Sequence, residues 1–172
     1  MEIKTFDADS GKLDFSFSYN NVETSLLRKK LAGNANVDIN DLRRVSLGKI
    51  DRVLNVSDDA LECLREVARA ENLSVDAPLS KRAIEMLVES QGVGFPMASA
   101  MLKFLRPDVF PIIDVRAYRA LTGTKSYYST YTLNRYIAYA KELTNIAKRL
   151  GRPLSDIDEQ LYCFDAEYNG KI

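Results

Sequence analysis

Apolar side chains recur at helical spacing along most of the chain, and polar and turn-forming residues interrupt that rhythm at regular intervals. Val22, Leu26, Leu27 and Leu31 share one face of a helix that stops at Gly33-Asn34, and a second short helix runs from Ile39 to Leu47 behind Asp38. Ser57-Asp58-Asp59 places a hydroxyl cap and two carboxylates at the head of a third helix, whose Leu61, Leu64, Val67 and Ala68 lie on one side. Pro78 opens a fourth helix that carries Ala83, Ile84, Leu87 and Val88 and ends at Gln91-Gly92. A helix from Leu133 to Leu150 stops at Gly151, ahead of Pro153. A last helix, from Leu154 to about Tyr168, turns Leu154, Ile157, Leu161 and Phe164 inward. Two stretches break the pattern. Residues 1–20 partly alternate Phe6, Leu13, Phe15, Phe17 and Tyr19 with polar residues around Ser10-Gly11, as in a short strand pair or an extended arm. Thr122 to Thr132 has no period and reads as a loop holding Tyr127, Tyr128 and Tyr131.

The expected fold is therefore all-α, one domain over residues 1–172. A hairpin-containing helical lobe covers 21–120, and residues 1–20 with 121–172 form a second lobe. Apolar residues at 46% support a real core. No apolar run approaches the roughly 20 residues that span a bilayer, and the amino-terminal residues lack the apolar stretch of a signal peptide, so the expectation is a cytoplasmic protein.

Absent residue types narrow the chemistry. The chain has no histidine, which removes Ser-His and Cys-His nucleophile pairs and imidazole metal sites. Cys63 and Cys163 are far apart with no CxxC, so no four-cysteine zinc or iron–sulfur site can form, and neither metal nor cofactor is expected. Carboxylates, lysines, tyrosines and the backbone remain. The 24 basic and 24 acidic side chains cancel, so net charge gives nucleic-acid binding no support. Local basic clusters occur at Arg28-Lys29-Lys30, at Arg43-Arg44 with Lys49 and Arg52, and at Lys148-Arg149 with Arg152.

The segment from Leu87 to Leu102, LVESQGVGFPMASAML, is a helix end, a Gly-Val-Gly turn and a second helix with small residues at Ala98 and Ala100. Such a hairpin leaves backbone N–H groups at the head of the second helix free to hold phosphate regardless of sequence. About twenty residues later Ile113-Asp114-Val115-Arg116-Ala117-Tyr118-Arg119 puts an aspartate at a helix start. Hairpin and aspartate together resemble the helix-hairpin-helix DNA glycosylase superfamily, whose aspartate commonly stands in Val-Asp-Thr-His-Val-x-Arg. On that resemblance Gly92, Val93 and Gly94 contact the DNA backbone, Asp114 is the catalytic carboxylate, and Arg119 matches the motif's arginine. Arg116 replaces its histidine; Arg116 and Arg119 are candidates for phosphates flanking the site.

Bifunctional members of that superfamily carry a lysine two positions after the second hairpin glycine. Here the slot holds Pro96, while Lys103 and Lys125 lie elsewhere, so the chain resembles the monofunctional branch without an iron–sulfur cluster. The implied partner is double-stranded DNA, bound by a monomer, with Tyr127, Tyr128 and Tyr131 available to stack on an extruded base. Two other readings remain open: a catalytically silent DNA-binding or interaction module, and an Asp114 that does no more than cap its helix.

Overall fold

The computed structural model describes residues 21–31, 39–49 and 54–171. The expected strand pair or arm at residues 1–20 lies outside them. Among the described residues the secondary structure is helical, with eight α-helices, one 3-10 turn and a single isolated bridge between Asn55 and Gln91. The all-α expectation holds. No helix among the described residues is long and apolar enough to cross a membrane.

The chain separates into two units, Met1–Val53 and Leu54–Ile172. The first contains α1 (Asn21–Leu31) and α2 (Ile39–Lys49). There the Arg44 guanidinium grips both oxygens of Glu23 at 2.8 and 3.0 Å. Of the basic clusters, Lys29, Lys30, Arg43 and Arg44 have exposed side chains.

The second unit contains α3 (Asp58–Arg69), α4 (Pro78–Glu89), α5 (Phe95–Leu105), α6 (Val115–Thr122), α7 (Leu133–Leu150) and α8 (Leu154–Tyr168). The helices begin and end where capping chemistry directs. Ser57 accepts from the Ala60 N–H, Thr132 accepts from the Arg135 N–H, and Gly123 and Gly151 close α6 and α7 in the left-handed conformation. The core runs through Val67, Ile84, Leu87, Leu102, Phe110, Ile113, Tyr136 and Leu143. Each large side chain taken fully out of water there contributes about 1.5–3 kcal/mol. On α3 the buried face is Ala60, Cys63 and Val67, whereas Leu61 stays partly in solvent, so the inward stripe lies one position round from the one the leucines suggest.

α8 departs from its expected face in a telling way. Leu154 and Ile157 are buried, but Phe164 is 50% exposed, and Asp165 beside it is fully buried. The inward stripe is Leu154, Asp158, Leu161 and Asp165, so α8 turns two carboxylates toward the rest of the unit, where cations from α5 and α6 meet them.

Candidate functional site

The α4–α5 hairpin is built as its glycines suggest. Gly92 has φ +81°, a left-handed conformation that an L side chain resists, while Val93 between the glycines is buried and anchors the turn. The Asn55 N–H donates to the Gln91 C=O at 3.2 Å and ties the turn to the segment ahead of α3. Gly94 is the N-cap of α5 with an ordinary φ of −99°, and a Cβ there meets only the Pro96 ring at 4.0 Å. Among the described residues no contact demands a glycine at 94. The residue is exposed, and its position leaves the head of α5 open.

α5 ends at Arg106-Pro107, since a proline disfavours continued helix in the residue before it. The Arg106 guanidinium donates to the Val67 and Ala70 carbonyls at the tail of α3 and pairs with Asp108. The chain then runs extended from Phe110 to Asp114 without a neighbouring strand, and side chains satisfy its backbone. Tyr136 Oη donates to the Pro111 C=O and Tyr139 Oη to the Ile112 C=O, both at 2.9 Å. The Ile112 N–H donates to Asp158 Oδ2 at 3.0 Å, and the Ile113 N–H to Ser99 Oγ at 3.1 Å. Burial pushes both phenols well above the ordinary tyrosine range, so they remain protonated donors.

Asp114 ends this segment as the N-cap of α6. Its Oδ1 accepts from the Ala117 N–H at 2.8 Å; among the described residues Oδ2 has no hydrogen-bond partner and no cation lies within ion-pair distance. Asp114 is half-buried and lines an open cleft of about 260 Å³ with Ile112, Asp158, Glu159, Tyr162 and Cys163. The other two acids are engaged: Lys103 Nζ reaches Asp158 at 3.0 Å, Glu159 at 2.8 Å and the Ser155 C=O at 2.8 Å. Burial opposes the charge on Lys103, but the bonds to Glu159 and Asp158 outweigh it and hold the ammonium above the ordinary lysine value. Lys103 is therefore a charged, fully occupied donor and a poor nucleophile.

The remaining candidates scatter. Arg119 is buried and forms a two-pronged pair with Asp165 at 2.7 Å on each prong, and Arg116 joins the same carboxylate at 3.2 Å. Both arginines also donate to backbone carbonyls beyond α8. Arg119 thus spends its guanidinium donors on the tail of the chain. Arg119 holds Asp165 at about 2, well below the usual carboxylate range, helped by Asn169. Tyr131 is buried with its hydroxyl on Ser126 at 2.9 Å and its ring edge-on to Tyr118, whereas Tyr127 and Tyr128 are 71% and 61% exposed. Neither the hairpin nor the three tyrosines line the Asp114 cleft, and Lys125 lies exposed in the loop after α6. Among the described residues no cluster of acids and cysteines is arranged to hold a metal ion.

Sequence reasoning missed Asp158, Glu159, Tyr162 and Cys163. The available signal was Asp158 and Asp165 at apolar-stripe spacing with Leu154 and Leu161, since acids in such places are rarely buried without a partner. No protein-family profile, no curated protein and no solved structure matches the chain.

Proposed function

We propose that the chain is a monofunctional DNA glycosylase of the helix-hairpin-helix kind, hydrolysing the N-glycosidic bond of a damaged or mismatched base in double-stranded DNA. The observation that carries this reading is the electrostatic isolation of Asp114. In a cleft with three acids, Lys103 binds both oxygens of Asp158 and one of Glu159, whereas among the described residues Asp114 meets no cation and keeps one oxygen without a partner. Breaking the bond between C1′ and the base nitrogen develops positive charge on the sugar. A nearby carboxylate stabilises that charge and takes a proton from the water that bonds to C1′. Pro96 fills the slot where a strand-cutting enzyme needs an amine, and Lys103 is tied down, so the product is an abasic site in an intact strand.

The open head of α5 supports backbone recognition. Among the described residues a Cβ at Gly94 would meet only the Pro96 ring, and its lack of a side chain lets a phosphate approach the turn closely. On this reading the protein acts as a cytoplasmic monomer without metal or cofactor. Arg119 spends its guanidinium donors on Asp165 and the carbonyls after α8, whereas Arg116 engages only Nη1 there and keeps donors for a flanking phosphate.

The test is a panel of duplexes carrying damaged or mismatched bases, assayed for abasic sites. Asp114→Asn is expected to lower excision about a thousandfold with duplex affinity nearly unchanged. Gly94→Ala is expected to fold normally and weaken binding to every duplex alike. Retained excision in Asp114→Asn sinks the assignment. The zero net charge and the acidic cleft favour a second reading, a catalytically silent interaction module; a wild type that excises no base and binds no duplex selects it, and duplex binding without excision marks a silent DNA-binding module instead.

A further inference from the structure

Two successive peptide groups ahead of Asp114 have all four of their polar atoms held by side chains. In the Pro111–Ile112 peptide, Tyr136 takes the carbonyl and Asp158 the N–H. In the Ile112–Ile113 peptide, Tyr139 takes the carbonyl and Ser99 the N–H. Helices α5, α7 and α8 therefore converge on one short extended segment. Three of the four partners are neutral hydroxyls. The fourth, Asp158, is a charge buried to 3% exposure, and it needs Lys103, itself buried, to accompany it.

Stability alone does not account for that arrangement. A buried ion pair costs as much desolvation as it regains, and apolar residues of similar size commonly serve a core as well or better. What the pair supplies is direction: Lys103 takes both oxygens of Asp158 and is itself located by Glu159 and the Ser155 carbonyl, which holds Oδ2 within reach of the Ile112 N–H.

We propose that Asp158, oriented by Lys103, is a positioning residue that sets the angle at which the Asp114 carboxylate enters the cleft. The geometric part stands on these contacts, and the consequence for catalysis rests on the glycosylase reading. Asp114 follows the clamped peptides directly, and its Oδ1 bond to the Ala117 N–H reports on where the carboxylate lies.

The experiment compares amide spectra of the full chain in three forms. Lys103→Met/Asp158→Leu replaces the pair by apolar residues and removes the acceptor for Ile112. Lys103→Met/Asp158→Asn removes the same charges but keeps an acceptor. The leucine form is expected to melt near the wild type yet to move both the Ile112 and Ala117 amide resonances. Its kcat for excision is expected to fall about tenfold or more, with KM within about twofold. The asparagine form is expected to bring Ala117, and kcat, back toward wild type. An Ala117 resonance unmoved in the leucine form overturns the proposal, as does an asparagine form no different from it. Should the leucine form not fold, the smaller apolar pair Lys103→Met/Asp158→Val, which also lacks an acceptor for Ile112, is read at the same two amides, with the same expectations. A wild type that excises no base defeats the glycosylase reading, and the amide comparison still decides the positioning role.

Discussion

Two aspartates that meet α6 are used in opposite ways. At its head, Asp114 is half-buried, caps the helix with one oxygen and, among the described residues, meets no cation. Along its flank, Asp165 from α8 is fully buried and ringed by Arg119, Arg116 and Asn169. A carboxylate saturated with cations has its field cancelled and its lone pairs taken, so it joins helices and does little else. A carboxylate with one oxygen free at the edge of a cleft retains the charge and basicity that chemistry needs. Around one short helix the structure thus separates an architectural acid from a candidate chemical one.

The contrast can be broken most forcefully at Asp165. Asp165→Ala leaves two guanidiniums facing each other without a counter-ion, one of them buried, and a melting temperature lower by about 10 °C is expected. A thermal melt that stays within a degree or two of wild type contradicts the architectural role.

Acid sharpens the comparison next. Because the Asp165 carboxyl is held at about 2 in the folded protein, below its ordinary value of 3.8, its contribution is complete above the ordinary value. That contribution fades as pH falls toward 2, where the folded form also takes up the proton. Melting temperatures recorded across this window should drop less steeply in Asp165→Asn than in wild type. Parallel curves would show that the pair carries no pH-linked stability.

The smallest expected effect is on the fold of Asp114→Asn. Asparagine caps a helix about as well as aspartate, so unfolding in urea should differ from wild type by less than about 1 kcal/mol. A loss as large as that of Asp165→Ala would make both aspartates architectural and erase the distinction.

Local rules made much of this legible in the sequence. Ser57, Pro78, Asp114 and Gly151 each mark a helix boundary by chemistry that acts within a few residues, and the helices start or stop there. The reading of Asp114 as an N-cap belongs to the same class, because the bond it forms lies three residues away. Phe164 shows where that reasoning fails. It fits an apolar stripe on α8 yet stands half in solvent, because Asp165 gains more from Arg119 than Phe164 gains from burial.

Residue types and their spacing by themselves determined an all-α chain, a glycine hairpin, an aspartate at a helix start, and the absence of histidine, of CxxC and of a lysine at position 96. Only the tertiary structure decided which charges meet. Lys103 finds Asp158 across 55 positions and Arg119 finds Asp165 across 46, distances over which no periodicity in the sequence carries information. Pairing of this kind depends on how α5, α6 and α8 pack, and packing is a property of all their faces at once. Among the described residues the same packing left Asp114 without a cation, the feature on which the functional proposal depends.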